Sequence, residues 1–134
     1  MILVDTGPLV ALIHADDQEH HRCKDVLESL NEPMGTVWPV LTEAMYLFSF
    51  SWRAQDALWE MLESEAVRLL TLDRADVARM RELMRKYRDT PMDLADAALV
   101  RAAERERLRR IFTLNRTDFE IYRPARIGRF AIIP

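Results

Sequence analysis

Short apolar runs recur along the chain, and each is separated from the next by stretches whose apolar residues repeat at helical spacing. This alternation limits the fold more than any other feature. Ile2-Leu3-Val4, Gly35-Thr36-Val37-Trp38, Val67-Arg68-Leu69-Leu70, Arg110-Ile111-Phe112 and the run from Phe130 to Ile133 read as strands. Helical patterns run from Pro8 to about Ala15, Gln18 to Leu30, Pro39 to Phe50, Arg53 to Glu63, Asp73 to Lys86, and Met92 to Arg107. Pro8, Pro39 and Pro91 stand where a helix tolerates proline, in its first turn. Strands alternating with helices predict an α/β fold, with a parallel sheet covered on both faces. The chain has 134 residues, 49% of them hydrophobic, with no repeat, linker or low-complexity tract, so residues 1–134 are expected to form a single domain.

In such folds ligands bind beyond the carboxyl ends of the strands. Five carboxylates stand at places where packing does not ask for them. Asp5 closes the first apolar run, and Asp118 follows the run at 111–113 by a few residues. Glu43 lies inside an apolar stretch, and Asp93 and Asp96 open an alanine-rich helix. Acids drawn together from distant segments repel each other unless something cationic sits among them. A hard divalent cation, Mg²⁺ or Mn²⁺, is the simplest such partner. The pattern therefore predicts a metal-dependent enzyme acting on phosphates.

Each acid also has a plainer explanation. Asp5 can serve as a turn or N-cap residue, although Thr6 can take the cap and leave Asp5 free. Glu43 gains from the helix dipole, but its apolar neighbours suggest a helix buried nearly all round, where an acid needs a partner. Thr90-Pro91-Met92-Asp93 reads as a capping box with Thr90 as N-cap, so of the pair Asp93 and Asp96 the structural one should be Asp93. Asp96 lies past the capping positions and shares a helix face with Asp93. Asn115 and Asp118 both suit turns and caps.

Composition removes several other classes. With only Gly7, Gly35 and Gly128, the chain has no glycine-rich phosphate loop. His14, His20 and His21 lack metal-ligand spacing, and no serine or cysteine has a nucleophile's context. Cys23 is the single cysteine, and the opening residues lack the basic segment of a secretory signal. No apolar run approaches a membrane span. A cytoplasmic protein is expected. Residues 1–100 carry 10 Lys/Arg against 18 Asp/Glu, a net of −8, whereas residues 101–134 carry 9 against 4, a net of +5. Arginine forks phosphate well, so Arg101, Arg105, Arg109, Arg110 and Arg116 are candidates for holding the phosphates that flank a cleaved bond.

Four segments resemble the PIN-domain ribonucleases, in the family's order and over nearly the whole chain. They are Ile2-Leu3-Val4-Asp5-Thr6-Gly7-Pro8-Leu9, Thr42-Glu43 after a short strand and a proline, Pro91-Met92-Asp93-Leu94-Ala95-Asp96-Ala97, and Phe112-Thr113-Leu114-Asn115-Arg116-Thr117-Asp118-Phe119. The third is similar to the form found in the VapC-like branch, the toxins of toxin–antitoxin pairs. The resemblance implies a three-layer α/β/α fold and an acidic pocket holding one or two Mg²⁺ or Mn²⁺ ions, with which water hydrolyses RNA. It places Asp5, Glu43, Asp96 and Asp118 in that pocket, with Asp93 as an extra acid and Thr6 and Thr113 as supporting hydroxyls. Many members have aspartate at the position of Asn115, so this chain keeps an oxygen there and loses a charge. The alternative within the family is a non-catalytic PIN-like RNA-binding or scaffold domain, which would be expected to lose the acids.

Partners follow from the aromatic residues. Met45, Tyr46, Phe48, Phe50, Trp52, Trp59 and Met61 crowd two adjacent helices. One sheet face cannot obviously bury all of them, so part of this surface should be sticky. A groove for an antitoxin segment is expected there, and the resemblance also suggests a homodimer.

Overall fold

The computed structural model describes residues 1–134. Five strands form one parallel sheet: β1 (Ile2–Val4), β2 (Met34–Thr36), β3 (Val67–Leu69), β4 (Arg110–Phe112) and β5 (Ala131–Ile133), in the order β3-β2-β1-β4-β5. Seven helices connect them: α1 (Thr6–Ile13), α2 (His20–Ser29), α3 (Trp38–Leu47), α4 (Trp52–Glu63), α5 (Val77–Lys86), α6 (Leu94–Glu106) and α7 (Arg116–Ile121). A single 3₁₀ turn, Arg74–Asp76, precedes α5. The architecture is the three-layer α/β/α sandwich that the alternation and the resemblance predict.

Ile2, Leu3 and Val4 are each 0% exposed. Successive strand residues point to opposite faces, so their joint burial means that both faces of the central strand are covered. The edges are different. In β3 only Val67 is buried, and β5 is half-buried throughout. Phe112, Phe119, Tyr122 and Phe48 are the largest side chains enclosed in the core.

The structure revises several boundaries. Trp38 leaves β2 and opens α3, because Val37 already has the extended backbone of an N-cap and Pro39 fixes the first turn. The expected capping box at Thr90 does not form. The helix starts at Leu94, with Asp93 itself as N-cap. α3 is not buried all round: Val40, Leu41 and Ala44 face the core, whereas Thr42, Glu43, Tyr46 and Leu47 are exposed. α7 was not foreseen in a segment that reads as turn and cap residues.

Strand order and register place the site. β1 pairs with β2 on one side and β4 on the other, and Val4 lies opposite Phe112. The next residues, Asp5 and Thr113, therefore leave the sheet side by side. Asp5 N–H donates to the Phe112 carbonyl at 3.0 Å, which carries the β1–β4 pairing one step past the strand end. Strands on either side of β1 run off in opposite directions in sequence. The crevice at their carboxyl ends is the topological switch point of an open α/β sheet.

Candidate active site

Asp5 is fixed by both of its oxygens. Its backbone is extended, and Oδ1 accepts the Thr6 N–H at 2.8 Å, so Asp5 rather than Thr6 caps α1. Oδ2 accepts the Thr113 hydroxyl at 2.8 Å. Thr113 Oγ1 in turn accepts the Asn115 N–H at 3.0 Å, and this chain of bonds ties the ends of β1 and β4 to the start of α7. Gly7 lets that approach happen: a Cβ there would sit 3.3 Å from Leu114 Cδ1. The Thr6 hydroxyl is buried and has no hydrogen-bond partner. It lies near enough to Glu43 to favour that carboxylate, but not in bonding geometry.

Asp93 Oδ1 accepts the Asp96 N–H at 2.8 Å, the N-cap bond of α6. Asp93 is thus the cap itself and not the third residue of a box, and it also faces the cleft. Asp96 is 8% exposed, and its Oδ2 accepts the Tyr122 hydroxyl at 2.7 Å. Asp118 is held by Asn115, whose amide nitrogen donates to Asp118 Oδ2 at 2.8 Å. An aspartate at that position would have no such donor, so the departure from the family pattern exchanges a charge for an anchor on Asp118.

These acids line one cleft of about 560 Å³. Asp5, Glu43, Asp93, Asp96 and Asp118 all face it, with Asp17 and Glu19 at its α1–α2 side. No lysine, arginine or histidine lines it. Loss of water at burial pushes the Asp5 carboxyl above its ordinary value, against the hydrogen bonds from Thr6 and Thr113, and Asp93 adds to the rise. Burial likewise raises Asp96, to about 7, with Asp93, Asp5 and Asp118 pushing the same way and Tyr122 opposing. Glu43 is exposed as a residue, yet its carboxyl is also raised, first by lost water and then by Asp93 and Asp5. Burial and the adjoining Asp96 push the Tyr122 phenol well above its usual range, so it acts as a donor.

The donor set fits a hard cation: carboxylates, the Thr6 hydroxyl and the Gln18 and Asn115 amides, with no sulfur or imidazole among the lining residues. The orphaned Thr6 hydroxyl is a further oxygen waiting for a partner at the same place. No three His, Cys, Asp or Glu side chains stand close enough to ligate one ion together. Mg²⁺ does not require that, because it keeps several of its waters and takes only one or two carboxylates directly.

The candidate arginines do not join this cleft. Arg101 donates to Asp76 Oδ1 at 2.7 Å and Arg105 to Asp76 Oδ2 at 2.6 Å, on the far part of α6. Arg109 donates to the Arg129 carbonyl, and Arg110 pairs with Glu32. Arg116 pairs with Glu120 and donates to the Pro134 carbonyl. Arg101 and Arg105 are 25 and 29 residues from Asp76 in sequence, and in the fold they hold its buried carboxylate. Sequence reading also missed Tyr122, Asp17 and Glu19. Their apolar or polar surroundings in sequence carry no signal that they meet the acids.

A second cleft, about 540 Å³, opens beside the first and shares Glu43 and Asp93 with it. Its other lining includes Trp38, Tyr46 and Leu94. In it Tyr46 is 77% exposed; elsewhere Trp52 is 70% and Phe50 68% exposed, whereas Phe48 is wholly buried.

Comparison with known proteins adds three findings. A sequence profile of the PIN domain matches residues 2–124. Ribonuclease VapC26 of Mycobacterium tuberculosis is 30% identical over 135 residues, covering 99% of this chain and 100% of the relative. Among solved structures, Mycobacterium tuberculosis VapC20, described as a Sarcin-Ricin loop cleaving toxin, superposes with a TM-score of 0.76 at 21% identity, over 83% of this chain and 87% of that one. A toxin-antitoxin complex from Klebsiella pneumoniae gives 0.71 at 20% identity over 100% and 97%. VapBC2 of Rickettsia felis, bound to a DNA fragment from its promoter, gives 0.70 at 17% over the full length of both chains.

Proposed function

The chain belongs to the PIN-domain family, and on that footing we propose that it is a metal-dependent endoribonuclease of the VapC type, the toxin of a toxin–antitoxin pair. One observation carries the chemistry: acids from five separate segments line a cleft at the sheet's switch point with no cationic side chain among them. A protein keeps such a site for a cation, since unpaired buried acids cost stability.

Asp5 and Asp96 would hold Mg²⁺ or Mn²⁺, with Glu43 and Asp118 completing the shell directly or through water. When bound, the ion supplies Lewis acidity and a water of lowered pKa for phosphodiester hydrolysis. The remaining work falls to the chain. The bonds from Thr6 and Thr113 hold Asp5 in one orientation, and Asn115 does the same for Asp118. The uncompensated acids repel RNA until the cation is present, so binding of substrate follows binding of metal.

The partners we propose are RNA, an antitoxin polypeptide and a second copy of the chain, in the cytoplasm. No helix is long and apolar enough to cross a membrane. Trp38 and Tyr46 are exposed and line a cleft that shares Glu43 and Asp93 with the acidic one. An antitoxin's apolar segment would lie there and bring a basic side chain over Glu43 and Asp93. The test is cleavage of a structured RNA with Mg²⁺ or Mn²⁺, alongside Asp5→Asn. Cleavage that persists in excess chelator, or survives Asp5→Asn unchanged, overturns the reading.

A further inference from the structure

Tyr122 touches the acidic cleft only from behind, and the nuclease reading leaves it without a task. It is wholly buried, at the end of α7. Its ring meets Tyr87 edge to face at 5.1 Å and Phe119 at 5.2 Å. Tyr87 packs on Tyr122 through its ring, and its hydroxyl, which accepts the Arg123 N–H at 2.9 Å, bonds no acid. The core therefore sets where the Tyr122 oxygen lies. Phenylalanine would fill the same space, and the hydroxyl has one partner, Asp96 Oδ2 at 2.7 Å.

The carboxylate of an aspartate turns readily about its last bond, because that torsion has broad minima. With Oδ2 engaged by Tyr122, the Asp96 carboxylate has one orientation, and Oδ1, which no protein donor holds, is the oxygen left to the cleft. The same tyrosine governs a second acid. Its N–H donates to the Asp118 carbonyl at 3.2 Å, so the residue that anchors Asp96 also closes the helix that carries Asp118.

We infer that Tyr122 is a positioning residue for the cation site: its hydroxyl fixes Asp96 from the core side and registers α7 against α6, so that Asp96 and Asp118 present their oxygens together. This rests on the reading of the cleft as a Mg²⁺ or Mn²⁺ site. Outer partners that orient a metal's carboxylate ligands contribute roughly 10- to 100-fold to metal affinity.

Mn²⁺ titration followed by electron paramagnetic resonance tests this on three proteins: wild type, Tyr122→Phe and Tyr87→Phe. Tyr87→Phe is the control, a nearby buried tyrosine that loses a hydrogen bond without touching an acid. Urea midpoints in chelator confirm that all three fold. Tyr122→Phe should bind Mn²⁺ at least about tenfold more weakly, while Tyr87→Phe binds as wild type does. RNA cleavage by Tyr122→Phe should climb back toward the wild-type rate as Mn²⁺ is raised by the same factor. Equal Mn²⁺ affinity in wild type and Tyr122→Phe overturns the inference and leaves the nuclease reading standing. Equal weakening in both variants also overturns it, because the cause is then a loosened core. A wild-type protein that binds no Mn²⁺ overturns the cation reading and this inference with it.

Discussion

Asp76 and Asp96 are both aspartates at helix starts and both buried, 0% and 8% exposed, yet the protein treats them in opposite ways. Burial works against the charge on each. At Asp76 it is outweighed by the Asp73 N–H, by the Arg101 hydrogen bond and by the charges of Arg105 and Arg101, so the carboxyl lies below its ordinary range. Glu104, nearby, is likewise depressed: its burial is outweighed by bonds from Arg79 and the Ala125 N–H, with Arg101 contributing. Asp96 has one neutral donor and three acidic neighbours, and it is driven up to about 7. One cluster is neutralised within the chain, and the other has no cationic side chain among its acids. That contrast separates a structural ion network from the proposed cation site, although both are made of the same residue types.

Asp76→Asn should cause the largest change in stability. Two arginines then lose the buried acid between them. The cost should be about 3 kcal/mol in urea unfolding, the low end for breaking a buried pair, because the arginine ends reach water. A loss below about 1 kcal/mol would mean that the network is as dispensable as a surface pair.

Asp96→Asn should do the reverse. It should lower metal-dependent RNA cleavage by about 100-fold or more, roughly 3 kcal/mol of activation free energy, while the chelated protein unfolds at the same urea concentration or a higher one. A destabilisation equal to that of Asp76→Asn would erase the distinction between the two regions.

The two aspartates should also give opposite slopes against pH in chelator. Asp76 has a lowered pKa when folded, so its contribution is present above the ordinary aspartate range near 3.8 and is lost as pH falls through the lower folded value. Asp96 has a raised one, so between 3.8 and about 7 the folded state holds the extra proton and stability declines as pH rises. Urea midpoints measured across pH should show an acid limb that Asp76→Asn weakens, with Glu104 supplying a part that stays, and a decline toward neutrality that Asp96→Asn weakens, with Asp5 and Glu43 supplying a part that stays. Saturating Mn²⁺ should also abolish the decline.

The smallest effect separates two threonines at the site. Thr113 bonds to both Asp5 and the Asn115 N–H, whereas the Thr6 hydroxyl has no partner. In chelator, Thr113→Val should cost about 1–2 kcal/mol and Thr6→Val nearly nothing. Equal costs in urea unfolding would show that the Thr6 hydroxyl is satisfied in solution without a cation.

Much of this was legible in the chain. Ile2-Leu3-Val4 reads as a strand, and its acid follows at once because a buried parallel strand is apolar up to its end and ligands gather just beyond. The order of helices and strands was readable for the same reason, apart from α7, whose Asn115-Arg116-Thr117-Asp118 start looks like a turn until the core accepts Phe119 and Tyr122. Periodicity did not show which side of α3 faces water, since its apolar residues run nearly all round and only packing against the core selects Val40, Leu41 and Ala44. The partners of the arginines were not legible, because a positive charge in sequence shows its sign and not its partner.

The sequence by itself determined the element types apart from α7, the parallel sheet and which carboxylates stand out, because strand and helix periods are local. Tertiary structure alone decided that Asp5 meets Thr113, 108 residues away, that Tyr122 anchors Asp96, and that Asp76 takes Arg101 and Arg105 while the cleft takes none. Those outcomes depend on strand register and helix packing, and charge partners set by distance in space have no counterpart in distance along the chain.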